Sequence, residues 1–283
     1  MNRRDFLIAS GVATAVGSAQ SGKIRAGCQT NAWKLEVPEF RSLLPVLATM
    51  KKLGFEGFET GYRNVQGQFE NLKEARQLIQ QSGIKFYGCH IFQFDYDPKT
   101  NIPDWKLIER VAKGAAALGA ERLIVSGAPA GQDVERLRWK AGALGRAGRL
   151  CRDLQMTRLC YHNHGPEFEH DAFEMRTLIK ESDPDTVRFL IDCGHAMRRK
   201  TDLASFFTKY HKRIDGLHLR DFKGDVQVPL GEGEFDYGPL AEAVKKTGWQ
   251  GWVLNEEERE SGEKPGETAV EPARKQMRKL FGA

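Results

Sequence analysis

Imidazole and carboxylate side chains end four apolar runs in the second half of this 283-residue chain. In chain order these side chains are His162, His164, Glu167, Asp192, His195, His218 and Glu256. Carboxylates and imidazoles that converge on one point repel one another and lose hydration unless a cation holds them together. The residue types therefore predict one divalent metal ion. Mixed oxygen and nitrogen ligands suit Mn, Zn, Co or Mg and do not distinguish among them.

A metal held in this way would suit carbohydrate chemistry. Chelation of a sugar carbonyl oxygen and the adjacent hydroxyl acidifies the carbon-bound proton between them and stabilises the resulting enediolate. Isomerisation or epimerisation needs the proton to return at another carbon or face, which two carboxylates on opposite sides could provide. Elimination instead needs one base and one acid. His162, His164 and His195 are candidates for the acid because imidazole titrates near neutral pH.

The scaffold must bring the ends of distant strands together. Eight short apolar runs predict strands, and they cover residues 24–29, 57–60, 86–90, 122–126, 158–162, 188–192, 216–219 and 252–256. Longer amphipathic segments between them predict helices over residues 38–53, 71–83, 105–118, 134–154, 172–182, 202–210, 237–247 and 268–281. Eight strand-and-helix units indicate a single (β/α)8 TIM barrel over residues 23–283, with the active site at the carboxyl ends of the strands.

The rival architecture is an open, doubly wound sheet. Such a sheet normally carries a Gly-rich first turn between strand and helix, with the pattern G-x-G-x-x-G. Here the first turn contains Gln29, Thr30 and Asn31, so nucleotide binding has no support. No linker or low-complexity tract divides residues 23–283, and this favours one domain.

At these residues the sequence resembles the sugar phosphate isomerase/epimerase family, the xylose-isomerase-like barrels that include ketose 3-epimerases, inosose dehydratases and apurinic endonucleases. The resemblance covers about residues 24–260. Its most specific segments are Tyr161-His162-Asn163-His164, Asp192-Cys193-Gly194-His195, His218-Leu219-Arg220-Asp221 and Gly231-Glu232-Gly233-Glu234-Phe235-Asp236-Tyr237, which leads to Gly251-Trp252.

The resemblance implies a metal held by a Glu after strand 5 and by Asp192, His218 and Glu256 on the next three strands. The family's epimerases have the Glu directly at the end of strand 5, where this sequence has His162. Its inosose dehydratases place a His-x-His before a later acidic ligand. The expected strand-5 ligand is therefore Glu167, with His162 as the alternative.

The strand-end positions also supply candidates for catalysis and substrate binding. We expect the catalytic groups among Glu167, Glu256, His162, His164 and His195. We expect Asn31, Trp33, Glu59, His90, Phe92 and Lys223 to orient hydroxyls or stack on a sugar face.

These features predict a metal-dependent isomerase or epimerase of a ketose-type carbohydrate. The alternative is a metal-dependent lyase or dehydratase of keto-sugars, inososes or 3-keto-glycosides, and a second alternative is a catalytically silent sugar-binding module. The expected partner is a small carbohydrate. A net charge of +5, with basic residues scattered among acidic ones, argues against nucleic acid and against a polybasic membrane surface. Oligomeric state stays open.

Residues 1–22 resemble a twin-arginine export signal. Arg3 and Arg4 precede a mildly apolar stretch, and small residues at positions 17–19 offer a cleavage site. The stretch is shorter than the roughly 20 strongly apolar residues of a spanning helix, so no stable membrane anchoring is expected after its removal. The expected location is the periplasm, with the cytoplasm as the alternative.

The five cysteines form no Cys-x-x-Cys pair, and their odd number argues against a disulfide framework in an exported protein. Most of them fall in apolar strand-like runs. We therefore expect thiols that serve as small buried hydrophobic groups.

If residues 1–22 are an export signal, export should depend on the two arginines. Replacing Arg3→Lys together with Arg4→Lys should leave the precursor in the cytoplasm, as measured by immunoblotting of fractionated cells. Unchanged periplasmic localisation of the double variant would refute the export signal.

Overall fold

The computed structural model describes residues 24–37, 39–92, 96–97, 99–100, 102–259 and 261–283. The proposed export segment, residues 1–22, lies outside these ranges. The strands of the main sheet are β1 Arg25–Gln29, β2 Gly57–Gly61, β3 Lys85–Ile91, β4 Arg122–Ser126, β5 Arg158–His162, β6 Val187–Asp192, β7 Ile214–Leu219 and β8 Trp252–Asn255. None of the helices in the described ranges is both long and apolar enough to cross a bilayer.

The eight strands close into one parallel barrel in which each strand pairs with its neighbours in sequence. The barrel closes between β1 and β8, where Arg25 pairs with Trp252 and Cys28 pairs with Asn255. An open sheet would leave both strands as unpaired edges. The predicted (β/α)8 barrel is therefore confirmed, and the carboxyl ends of all eight strands meet at one mouth.

The helices that follow the strands match the amphipathic segments closely. They are α1 Leu43–Lys52, α2 Leu72–Gln81, α3 Trp105–Leu118, α4 Val134–Asp153, α5 Glu169–Glu181, α6 Cys193–Arg198, α7 Leu203–Tyr210, α8 Gly238–Thr247 and α9 Glu267–Phe281. The first predicted helix begins later than residue 38 because a 3₁₀ turn, Phe40–Ser42, precedes α1. Sequence periodicity did not predict α6, because its six residues are too few to show a repeat.

The start of α5 is irregular. His170, Asp171 and Ala172 have φ values of 51°, 59° and 56°, which is the left-handed region that side chains other than Gly seldom adopt. Regular helical geometry begins only after these residues. The predicted helix start at residue 172 therefore agrees with the regular part of α5.

Two small antiparallel hairpins lie outside the main sheet. The sequence analysis did not predict them. Tyr96–Asp97 pairs with Ile102–Pro103 after β3, and Asp221–Lys223 pairs with Val226–Val228 after β7. Strands of two or three residues are too short to give an alternating pattern. The second hairpin lies in the loop between β7 and α8, at the mouth of the barrel.

The barrel interior is packed with side chains. Its buried apolar cluster comprises Tyr87, Ile124, Cys160, Leu190, Trp252 and Leu254. A Cβ atom added at Gly216 would lie 2.6 Å from the Tyr87 hydroxyl and 2.7 Å from Leu190 Cδ1, so only Gly fits there. The polar residues at the mouth of the barrel pack against this apolar interior.

All five cysteines are free and buried, which confirms the expectation drawn from their number and spacing. They are Cys28, Cys89, Cys151, Cys160 and Cys193.

A buried ion pair ties α4 to α5. Lys140 Nζ lies 2.7 Å from Glu174 Oε1 and also donates to the carbonyl of Ala128 at 3.1 Å. The other oxygen of Glu174 accepts from the backbone N–H groups of Ala130 and Gly131, each at 2.8 Å. Because both side chains are buried, the loss of either partner would leave an uncompensated charge inside the protein.

Lys140→Met should lower the free energy of unfolding by about 3 to 5 kcal/mol, because it leaves the buried Glu174 carboxylate without its positively charged partner. Urea unfolding followed by circular dichroism measures the loss. Lys275→Met is the matched control, since Lys275 forms an exposed pair with Glu271 on α9, and it should hardly move the midpoint. Equal midpoints for the two variants would contradict the prediction.

Candidate metal centre

Four side chains converge at the mouth of the barrel. They are His162 at the end of β5, Asp192 at the end of β6, His218 on β7 and Glu256 directly after β8. One ligand atom from each lies within 4.8 Å of the other three, and all four residues are buried. His162 Nε2 is 3.0 Å from His218 Nδ1 and 3.7 Å from both Asp192 Oδ2 and Glu256 Oε2.

Strand register places these residues at one level. Asp192 pairs directly with His218, and His218 pairs with Leu254, two residues before Glu256. Because residues two apart on a strand share a face, Glu256 points to the same side as Leu254, into the barrel. The predicted convergence of Asp192, His218 and Glu256 follows from this alternation.

The chemistry of the four residues fits a divalent cation. Asp192 Oδ2 and Glu256 Oε2 are buried, and neither accepts a well-aligned hydrogen bond within the described ranges. Arg220 Nε lies 2.8 Å from Asp192 Oδ2, and His218 Nδ1 contacts Glu256 Oε2. When the imidazoles are neutral, as ligation of a metal requires, the group contains the three buried carboxylates of Glu59, Asp192 and Glu256. Among the described residues one guanidinium contacts this group, that of Arg220, which pairs with Asp192 and Glu256. Two negative charges are left over, which is the charge that a divalent ion would balance. Two imidazole and two carboxylate donors suit Zn or Mn and leave the identity open.

Glu59 sets the orientation of the His218 ring. The Glu59 carboxylate can only accept, so His218 Nε2 donates to Glu59 Oε2 at 2.8 Å and leaves Nδ1 facing the other three ligands. His90 donates from Nδ1 to Glu59 Oε1 at 3.0 Å, and its Nε2 contacts Ser126 Oγ at 3.2 Å. Phe92 stacks on the His90 ring with the centroids 4.8 Å apart. Glu59 and His90, two of the predicted substrate-binding residues, are both buried, and Glu59 contacts His218 directly.

The charges in this group shift one another's protonation. Burial alone would lower the pKa of His218, but the carboxylates of Glu256 and Glu59 raise it well above its ordinary value. Burial alone would raise the pKa of Glu256, but the charges of Arg220 and His218 hold it well below its usual range. Glu256 is therefore a carboxylate ligand at neutral pH.

Arg220 joins the two acidic ligands, a role that sequence reasoning missed. Its Nε lies 2.8 Å from Asp192 Oδ2, and one terminal nitrogen lies 3.0 Å from Glu256 Oε1 and 3.3 Å from Glu258 Oε2. The available signal was its position two residues after His218, which places it on the same face of the chain.

The glycine-rich segment after β7 holds Arg220 in place. The Asp221 carboxylate accepts hydrogen bonds from the backbone N–H groups of Phe222, Gly231, Gly233 and Phe235. A Cβ atom at Gly233 would lie 2.0 Å from Asp221 Oδ1, so a side chain there is excluded. The Tyr237 hydroxyl then donates to the Arg220 carbonyl at 2.5 Å.

Asp192 is fixed from two sides. Asn163 Oδ1 accepts from the backbone N–H of Asp192 at 2.9 Å, and Asn163 Nδ2 donates to its carbonyl at 3.3 Å. Asp192 Oδ1 in turn accepts from the His195 N–H at 2.8 Å and so caps α6. This capping bond leaves Oδ2 facing the other ligands.

The structure corrects the preference for Glu167 as the strand-5 ligand. Glu167 Oε1 accepts from the Tyr161 hydroxyl at 2.8 Å, and Oε2 accepts from the His164 N–H at 3.2 Å. Tyr161 and His162 are consecutive on β5 and point to opposite faces, so the carboxylate lies on the outer, helix side of the strand. His162 occupies the inner position. Burial raises the pKa of Glu167 despite the nearby charge of Lys140.

Two further imidazoles border the centre. The His164 ring lies 5.4 Å from the rings of both His162 and His195, and His195 Nε2 is 3.9 Å from Asp192 Oδ2. Burial, followed by the charge of His195, lowers the pKa of His164 to about 3. Burial also lowers the pKa of His195, so both rings are neutral at pH 7.

These two imidazoles open onto a cavity of about 350 Å³. It is lined by His164, Gly165, Pro166, His195, Arg198, Arg199 and Asp225. Because His195 lines this cavity and its Nε2 lies 3.9 Å from Asp192 Oδ2, the cavity borders the candidate metal centre, and we call it the entrance cavity.

The remaining pocket candidates fall at different distances from the centre. Asn31 Nδ2 lies 3.5 Å from Glu256 Oε1 and so borders the ligand group. Trp33 is half-buried and packs against the core beside Gly266. Lys223 is exposed on the hairpin after β7. Of these three, the structure brings only Asn31 into contact with a ligand.

A family model for the xylose isomerase-like TIM barrel matches residues 47–280. The chain belongs to this family. The match spans most of the barrel and confirms the resemblance seen in the sequence.

Curated relatives of this xylose isomerase-like barrel include two inosose dehydratases. The chain is 27% identical over 251 residues to that of Geobacillus kaustophilus, a match that covers 76% of this chain and 80% of the relative. It is 29% identical over 140 residues to that of Lacticaseibacillus casei, which covers 42% of this chain and 46% of the relative. The second match thus spans about half the length of that relative.

Solved structures of the same fold include the E. coli 3-keto-D-glucoside 4-epimerase YcjR in its apo form. That comparison has a TM-score of 0.67 at 18% identity and covers 92% of this chain and 100% of the other. The IolI protein with a bound zinc atom gives a TM-score of 0.73 at 15% identity and covers 92% and 98%. At these identities the likeness establishes the fold alone.

His162→Ala should remove metal binding, whereas Glu167→Gln should retain it, because only His162 points into the ligand group. Isothermal titration of the metal-free variants with Zn²⁺ and Mn²⁺ measures both outcomes, and Asp192→Ala serves as the variant expected to lose the metal. Metal loss in Glu167→Gln together with retention in His162→Ala would reverse the assignment.

Glu59→Gln should lower metal affinity about 10- to 100-fold without abolishing it, because Glu59 orients His218 rather than binding the ion. The same titration gives the affinity, and Glu258→Gln, at the exposed end of Arg220, is the control. An unchanged affinity in Glu59→Gln would show that the bond to His218 is dispensable.

Proposed function

We propose that this chain is a divalent-metal-dependent lyase that removes water from a keto-sugar, an inosose or a 3-keto-glycoside. The sequence favoured an isomerase or epimerase and kept the lyase as the alternative. The observation that carries the lyase is the set of imidazoles at the centre: His162 faces the ligand group, and His164 and His195 line its entrance.

Epimerisation needs two carboxylates available on opposite sides of the substrate. The carboxylates near the centre are all engaged with other groups. Arg220 pairs with Asp192 and Glu256, His218 and His90 occupy Glu59, and Glu167 points outward. The imidazoles of His164 and His195 are the groups left facing the cavity, which favours elimination.

His162, Asp192, His218 and Glu256 would hold the metal ion. A bound divalent ion would polarise the substrate carbonyl and its neighbouring hydroxyl, which acidifies the intervening carbon-bound proton. Arg220 keeps the two acidic ligands ionised and in position through its contacts with both. Burial among these groups excludes bulk water from the inner end of the cavity.

His164 is the best placed proton carrier. Its buried Nδ1 has no hydrogen-bond partner within the described ranges, and the ring is neutral at pH 7. It accepts the proton from the carbon beside the carbonyl and delivers it to the hydroxyl that departs from the next carbon. The carbon–hydrogen and carbon–oxygen bonds break, a carbon–carbon double bond forms, and one water leaves.

The curated relatives support this proposal, since they are named inosose dehydratases. An inosose is a cyclic polyhydroxy ketone, the kind of substrate in which a carbonyl, an acidic carbon and a departing hydroxyl lie in sequence.

Product analysis in deuterated water tests the lyase. The Mn²⁺- or Zn²⁺-loaded protein should convert an inosose or a 3-keto-glycoside into a product lighter by one water, as seen by mass spectrometry, and chelation should stop the reaction. A product of unchanged mass that carries deuterium would instead identify an isomerase or epimerase. Metal-independent sugar binding without turnover would identify a binding module.

His164→Ala should retain the metal and lower turnover by about 10²- to 10⁴-fold, the usual contribution of general acid–base catalysis. His211→Ala, at a surface histidine on the far side of α7, is the matched control and should leave turnover unchanged. Full turnover by His164→Ala would remove His164 from the mechanism.

A further inference from the structure

The outer wall of the entrance cavity carries two consecutive arginines, Arg198 and Arg199. The mechanism proposed above uses neither of them. The lining contains two guanidinium groups and one carboxylate, that of Asp225, and Arg199 pairs with Glu169 outside the lining. A bound anion would therefore have to displace these carboxylates.

Helix α6 connects these arginines to the candidate metal centre. The metal-ligand candidate Asp192 caps its start, His195 follows three residues later, and Arg198 follows after another three. Each step of three residues turns about 60° around the axis, so Asp192 and Arg198 do not share a face. His195 and Arg198 nevertheless line the same cavity, which places a guanidinium beside an imidazole of the candidate site.

The ion pairs that the two arginines form with acidic side chains are exposed to solvent. Arg198 pairs with Asp225 at 2.7 Å, but Asp225 is 93% exposed. Arg199 pairs with Glu169 at 3.4 Å, and both side chains are nearly half exposed. Ion pairs at exposed positions contribute little because water screens them. A substrate anion could therefore replace either carboxylate at small cost.

The loop that carries His164 is shaped to receive one of these guanidiniums. A Cβ atom at Gly165 would lie 3.1 Å from Arg199 Nε and 3.2 Å from a terminal nitrogen, tighter than side chains normally pack. The absence of a side chain at Gly165 thus lets Arg199 lie directly against the backbone beside His164. The guanidinium is positioned by the same loop that positions the proton carrier.

We propose that Arg198 and Arg199 bind an anionic substituent of the substrate, a carboxylate or a phosphate. Guanidinium groups recognise both anions through paired, charge-assisted hydrogen bonds. The proposed lyase would then act on an acidic keto-sugar or cyclitol in preference to a neutral one. This inference rests on the proposed function for the reacting end of the substrate, while the anion site stands on the cavity alone.

Kinetics with matched substrates test the site. Turnover of a neutral inosose is compared with turnover of a keto-sugar acid and of a keto-sugar phosphate, by the wild type and by Arg198→Gln with Arg199→Gln. We expect the wild type to prefer one anionic substrate, and the double variant to lose about 10- to 100-fold in kcat/KM on it, through KM, with the neutral substrate unaffected. Which anion shows the loss identifies the source of the charge. Arg176→Gln, at an exposed pair with Asp171 on α5, is the control.

Each contrary outcome has a separate meaning. Metal-dependent water loss from the neutral substrate, equal to that from the acids and equally affected by the variant, would overturn the anion site and leave the lyase standing. If no substrate loses water, the lyase fails, and titration with inorganic phosphate decides the site. Binding of phosphate by the wild type and not by the double variant would support it, and equal binding by both would overturn it. A loss of stability in the variant without a change in KM would assign the arginines to structure.

Discussion

Uncompensated negative charge at the barrel mouth is the constraint on which the site depends. Glu59, Asp192 and Glu256 are buried together, and in the described part of the chain Arg220 is the guanidinium that contacts Asp192 and Glu256. Buried charges are tolerated only when they are paired or coordinate a metal. The hydrogen bonds that Glu59 makes with His218, and that Asn163 and His195 make with Asp192, orient these side chains so that their remaining ligand atoms could bind a cation. We call the four ligand candidates His162, Asp192, His218 and Glu256 the cage, and these contacts hold the cage in a preorganised geometry.

Reaction type within such a barrel depends on what surrounds the cage. Asp192, His218 and Glu256 match the ligand positions expected for the family, whereas the end of β5 differs by presenting His162 inward and Glu167 outward. One exchanged residue at a strand end changes the set of candidate metal ligands without changing the fold. Diversity of chemistry on TIM barrels commonly arises in this manner, through the loops at the strand ends.

The sequence predicted the parts of the molecule that follow simple periodicities. Eight repeated strand-and-helix units were sufficient for the barrel, and the polar residues at the strand ends, Asp192 and His218 among them, were expected at one mouth. Glu167 was misplaced because the turn after β5 has no periodicity, and its direction depends on a bond to Tyr161 that only packing reveals. Glu59 likewise gave no sign of its contact with His218, since 159 residues separate them in the chain.

That separation has a consequence for how the protein folds. The bond between Glu59 and His218 joins β2 to β7, and the barrel is complete only when β8 pairs with β1. The entropy of closing so long a loop must be overcome before the contact can form, and such non-local contacts slow folding. The cage and its contact with Glu59 are therefore complete only when β2, β5, β6, β7 and β8 are all in place. A metal ion can then bind all of its ligands only in the native state. Such an ion raises the free energy of unfolding.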